Sequence, residues 1–73
     1  IGLVSRTHVV PISHSQDTPG PMARSVRDAA LMLNAMVAAD PADLTTADAA
    51  RRKRDYAAGL SASALSGMRV AVL

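Results

Sequence analysis

Apolar and polar positions divide the chain into five stretches. Gly2–Ser5 and Val9–Ile12 are short aliphatic runs on either side of Arg6-Thr7-His8, a pattern that predicts an extended, hairpin-like segment. Pro11 has no amide to donate, which keeps the second run away from the centre of a sheet. Ser13 to Pro21 combines two prolines and a glycine with short polar side chains that bond their own backbone. That stretch predicts an irregular loop, and loops carry function more often than cores do.

A helix is predicted over residues 25–39. Ser25 stands where it can accept from the first free amides, and Asp28, three residues on, places a carboxylate near the positive end of the dipole. Val26, Ala29, Ala30, Leu33 and Val37 share one face, while Leu31, Met32 and Met36 widen the apolar surface well beyond one stripe. Such a helix asks for cover from more than one direction. Asp40-Pro41 ends it, because the residue before proline is pushed out of helical geometry. In Ala42–Gly59, Thr45 and Asp48 form a second possible capping pair and Asp48 stands four before Arg52, so a short helix is expected, stopped by Gly59. Ala64–Gly67 then turns into Met68–Leu73, apolar apart from Arg69, which predicts a strand buried in a mixed or parallel sheet.

Composition sharpens this picture. The 73 residues contain no Cys, Trp or Phe and a single Tyr, which excludes a disulfide framework, a cysteine zinc site and a large aromatic core. Ordering a chain costs about 1.5 kcal/mol per residue, and here Ala, Val, Leu and Met alone must offset it. The expectation is a partial domain, 1–73, that needs neighbouring polypeptide. Eight Lys plus Arg against six Asp give a net charge of +2, a balance that calls for neither a nucleic acid nor an anionic membrane as partner. No apolar run approaches the roughly 18 residues that cross a bilayer, so the chain reads as soluble, and cytoplasmic ahead of exported.

Several groups invite a chemical reading. Ser13, His14 and Asp17 have the residue types of a triad, but neighbouring loop residues seldom aim their side chains at one atom. His8 and His14 lack the thiol or carboxylate cluster that would make them metal ligands, and neither metal nor cofactor is expected. Arg51-Arg52-Lys53-Arg54 is the one charge run; with no aromatic platform beside it, a solvated face explains it better than a nucleic-acid contact. Asp17 to Arg24 differs in kind, since Asp-Thr-Pro-Gly-Pro-Met-Ala-Arg sets a φ-restricted turn before a capped helix. Its carboxylate and guanidinium are placed to pair as a fork across the turn.

Gly2-Leu3-Val4-Ser5-Arg6, Pro11-Ile12-Ser13, the run Ser15–Val26 and Asp28-Ala29-Ala30 resemble the stretch just downstream of the catalytic core in amidase signature enzymes, with bacterial peptide-amidase-like members most similar. Asp40-Pro41-Ala42-Asp43 and Leu65–Val70 are similar to the same family's later course, and Gln16–Arg24 is the most specific part. The resemblance implies an α/β fold, a mixed β-sheet flanked by helices, to which this chain would give one long helix and two or three short strands. It implies hydrolysis of small carboxamides or peptide amides through an acyl-enzyme. The serine nucleophile, a second serine on a cis peptide bond and a lysine base with a burial-depressed pKa match no residue here, since Lys53, the one lysine, falls elsewhere. The implied partner is the remainder of the amidase domain. Gln16 and Asp17 are then expected to approach the substrate cleft, with Arg24 as a positioning residue. His8 stands where that family usually has glycine, which implies either a local turn that differs from the family's or a positive φ accepted at modest strain. The rival expectation is a non-catalytic interaction module that uses the apolar face of helix 25–39.

Overall fold

The computed structural model describes all of residues 1–73. Helix α1 runs Val26–Met36, a single 3₁₀ turn follows at Leu44–Thr46, and a one-turn helix α2 spans Ala49–Arg52. Everything else is turn or irregular chain.

The start of α1 follows from its cap. Ser25 is extended, and its Oγ accepts from the Asp28 amide at 3.1 Å. The end comes earlier than the predicted residue 39. Val37 is already extended, its N–H closing on the Leu33 carbonyl, and its side chain is wholly buried. Packing decides this boundary: Val37 joins Val4 and Ala49 in the core, with Leu3, Leu33, Met36 and Tyr56 against them. Continuing the helix would carry Asp40 away from Thr46, whose Oγ1 accepts the Asp40 amide at 2.7 Å.

The second helical region also differs in detail from its prediction. Asp43, not Thr45, caps the 3₁₀ turn by accepting from the Thr45 amide. Asp48 precedes α2 without a side-chain cap, and it meets Arg51 at 3.5 Å in place of Arg52. Helix α2 stops at Arg52, well before Gly59, because Lys53 turns extended. Asn34 on α1 draws the chain back immediately afterwards, accepting from the Tyr56 amide at 2.8 Å and donating to Asp55 at 2.9 Å.

No β-sheet forms, which overturns the expected mixed sheet with two or three strands. The one β-type contact is an isolated antiparallel bridge between Asp40 and Asp43. The reason lies in where the donors go. Between the two N-terminal runs the chain reverses in a turn, Val9 N–H to Arg6 carbonyl at 2.9 Å. The amides of Ile12 and Ser13 are then taken by the Asp17 carboxylate at 2.6 and 3.0 Å, and Pro11 has none to offer. At the other end, Met68 closes a turn onto Leu65, with Gly67 at the positive φ such a turn needs. Residues 69–73 lie exposed with no ladder partner.

The consequence is a small core under a large surface. The accessible area is 6092 Å², against roughly 4,200 Å² for a compact monomer of this mass. The radius of gyration is 14.3 Å, against about 11 Å for a compact domain of this length. Apolar side chains account for much of the excess: Ile12 is 100% exposed, Met22 92% and Val72 92%. Along α1, Ala30 is buried and Leu33 and Met36 face inward, while Val26, Leu31 and Met32 stay exposed.

Candidate functional site

The most highly organised polar region joins the 5–17 segment to residues 40–46. Ser5 and Thr7 direct their hydroxyls onto Asp40 Oδ2 at 2.5 and 2.6 Å, and Ser5 Oγ accepts the Thr7 amide at 3.1 Å. The other Asp40 oxygen takes the Ala42 amide at 2.9 Å. With three donors on one carboxylate, the Ser5 hydroxyl first, then Thr7, then the Ala42 amide, Asp40 is held down to about 2.

Asp43 performs the matching task one turn later. Its Oδ1 accepts from the Thr45 hydroxyl at 2.6 Å and amide at 3.1 Å, and its Oδ2 accepts the Arg6 amide at 2.9 Å. The Thr45 hydroxyl, followed by the Arg6 amide, lowers its pKa as well. Arg6 Nε lies 3.6 Å from the same Oδ2, and Arg6 Nη1 donates to the His14 carbonyl at 2.5 Å. Arg6 therefore ties the turn, the 40–46 segment and the far loop together. The loop has its own clamp in Asp17, whose carboxylate is kept below the ordinary range by the Ser13 amide and then the Ile12 amide. Between these parts lies an open cleft of about 380 Å³, walled by Arg6, Thr7, His8, His14, Asp17 and Asp43 with aliphatic neighbours.

The sequence-predicted residues fall out unevenly. Asp17 lines the cleft, partly buried and committed to backbone amides. Gln16 is exposed beside it, its amide closing onto the Ser13 carbonyl. Arg24 is exposed ahead of α1 and makes no ion pair; the anticipated Asp17–Arg24 fork is absent, and the Asp17 Oδ2 accepts the Ile12 and Ser13 amides instead. Ser13, His14 and Asp17 do not assemble a relay: the Ser13 hydroxyl faces Ser15 at 3.4 Å. Sequence reasoning missed Asp40 and Asp43 as organisers. Their partners are 33 to 37 residues away along the chain, a separation no local pattern encodes, although two hydroxyls in Ser5-Arg6-Thr7 gave a faint signal.

His8 has φ 66°, the one non-glycine residue at positive φ, so of the two alternatives at this position the strained backbone is the one adopted. A non-glycine residue in that region costs about 1–2 kcal/mol, and glycine loses part of that gain through its freer unfolded chain. Replacing His8 with glycine is expected to be neutral to mildly stabilising, by up to about 1 kcal/mol, whereas His8→Val destabilises by about 1–2 kcal/mol. Denaturant midpoints of the two variants check the sign of each.

Among known proteins, the family model described as Amidase matches residues 1–73. A putative amidase of Arthroderma benhamiae is 47% identical over 73 residues, covering 99% of this chain and 12% of that protein. A glutamyl-tRNA(Gln) amidotransferase subunit of Nitrosomonas eutropha is 45% identical over 69 residues, 94% of this chain and 14% of that protein. A probable amidase of Arabidopsis thaliana is 41% identical over 75 residues, 100% of this chain and 15% of that protein. The chain thus spans about an eighth to a seventh of the length of these relatives. No solved structure matches. No helix is long and apolar enough to cross a membrane.

Proposed function

This chain belongs to the amidase family, and on that premise we propose that it is a supporting segment of a larger amidase domain. In this reading the domain cleaves a carboxamide carbon–nitrogen bond through an acyl-enzyme, and the serine, cis-serine and lysine that do so lie on polypeptide outside these residues. The observation that carries the proposal is the family match along all 73 residues combined with coverage of only 12–15% of the relatives' length. The excess apolar surface supports it, since exposed Ile12, Met22 and Val72 are the kind of side chains a neighbouring layer covers.

The segment's own contribution is positional. Asp40 and Asp43 fix the Arg6 turn, Arg6 fixes the His14 carbonyl, and Asp17 closes the loop on itself. In this reading Asp17, on the cleft wall, and Gln16, exposed beside it, approach the substrate, with Arg24 as a positioning residue ahead of α1. A loop held by charge-assisted bonds can keep substrate in a reactive geometry without touching the reacting atoms, which is worth a large part of a barrier when the alignment is good. The names of the relatives divide between amidases and amidotransferase components, and a supporting role of this kind suits either.

The test is reconstruction. The isolated 73-residue chain is expected to show no amide turnover and no cooperative unfolding transition, and joining it to the preceding part of the amidase domain restores both. Amide turnover by the chain alone overturns the proposal. A sharp, two-state unfolding transition of the chain alone, without turnover, favours a free-standing interaction module instead.

A further inference from the structure

The basic run takes no part in the network described above. Arg51, Arg52, Lys53 and Arg54 are all exposed, as is Asp55 after them. Lys53 is extended, with φ −63° and ψ 133°, and the amides of Lys53, Arg54 and Asp55 make no hydrogen bond. The two preceding arginines belong to a helix of one turn, held by the Arg51 and Arg52 amides on the Asp48 carbonyl at 3.1 and 3.2 Å and by one exposed ion pair. A single turn of helix is marginal on its own, so drawing it out costs little. Four adjacent cations also resist burial under any neighbouring layer, so this stretch stays at the surface whether or not more of a domain surrounds it.

We propose that Arg51–Asp55 is a site of limited proteolysis by an endoprotease whose acidic subsites read arginines at the first and fourth positions before the cut. Arg54 and Arg51 occupy those positions, with Lys53 between them as a further cation. The hydrolysis adds one water across the Arg54–Asp55 peptide bond, leaving a carboxylate on Arg54 and an amine on Asp55. No other basic residue offers the same pattern in the folded chain. Arg69 follows Ser66-Gly67-Met68 and Arg24 follows Pro21-Met22-Ala23, neither with a second cation before it. Arg24 and Arg27 do stand at the fourth and first positions before Asp28, but Val26 and Arg27 are wound into α1, and Arg6 is tied to Asp43. The cut would leave residues 55–73 attached chiefly through Asn34, which holds Asp55 and the Tyr56 amide, and through the packing of Tyr56 on the core. The site is therefore placed to part residues 55–73 from the helix and core before them, and it would do so whether or not the amidase reading holds.

The experiment treats the full-length protein with a subtilisin-class serine endoprotease that reads arginine at the first and fourth positions before the cut, and follows intact masses with time. The cut between Arg54 and Asp55 should appear first, and Arg54→Ala and Arg51→Ala should each slow it by at least about tenfold. Both arginines are exposed, but Arg54 lies over the Tyr56 ring at 5.5 Å and Arg51 pairs with Asp48, so an unchanged circular dichroism spectrum together with an unchanged Tyr56 fluorescence certifies the variants. A first cut after Arg24, Arg27 or Arg69 overturns the proposal. So does resistance of the folded chain under conditions where the urea-unfolded chain is cut, and so does unchanged cleavage of Arg54→Ala.

Discussion

Gly2→Ala is expected to destabilise the folded segment by about 3 kcal/mol, the combined effect of backbone strain and a forced displacement. Gly2 has φ +85°, and a Cβ built there would lie 2.3 Å from the Thr45 carbonyl oxygen. Neither side yields easily. The obstacle is backbone, and Thr45 is locked in the 3₁₀ turn that Asp43 caps. Relief would require residues 1–4 to lift off, taking Val4 from its contact with Val37 and Ala49. A core of this size supplies only about 3–5 kcal/mol, so the loss is comparable to everything the core contributes. Gly59→Ala is the matched control: nothing stands within 4 Å of its Cβ and its φ is not positive, so its denaturant midpoint should stay within about 0.5 kcal/mol of the parent. Equal midpoints for the two variants, measured in the full-length protein, would show that the Gly2–Thr45 approach is not maintained in solution.

Acid should loosen the same region from its carboxylates inward. Asp40 is depressed to about 2 in the folded state against an ordinary 3.8, through the Ser5 hydroxyl first, then Thr7 and the Ala42 amide. A depressed carboxylate contributes stability that is fully present above the unfolded pKa and is lost as pH falls through the folded value. The window for Asp40 therefore runs from just above 3.8 down to about 2. Asp17, Asp43 and Asp55 are lowered too, by the Ser13 amide, the Thr45 hydroxyl and the Asn34 side chain respectively as the leading causes. All four thus act in the same direction below their ordinary range. Amide hydrogen exchange at Arg6, Thr7 and Ala42 is the local readout. Protection there should fall as pH drops through this window, beyond the intrinsic pH dependence of exchange, and Asp40→Asn should remove most of the fall at Ala42. A flat protection profile for the parent would contradict the donor geometry around Asp40.

How far the sequence carried the reading depends on the range of each interaction. Helix α1 was legible because its cap, its dipole-compensating Asp28 and its apolar spacing all lie within a dozen residues. The irregular 13–21 loop was legible for the same reason, whereas the glycine expected at His8 left a different local turn and a strained positive φ both open, and only the structure shows the strained form. The helix ended at Met36 and not at residue 39 because the core captured Val37, a tertiary effect with no local mark. The strands failed for a related reason. Aliphatic alternation and an apolar terminal run state a preference for extended chain, but a ladder needs a second backbone in register, and here the donors went to a turn and to Asp17.

The sequence alone determined the family, the capped helix, the proline-rich loop and the shortage of core-forming side chains, since each is written in residue identity and short spacing. Only the tertiary structure decided that Asp40 and Asp43 reach back more than thirty residues to organise Ser5, Arg6 and Thr7, and that Asp17 serves backbone amides in place of Arg24. Short polar side chains satisfy whichever donors the fold brings within reach, and that choice is made by the path of the whole chain.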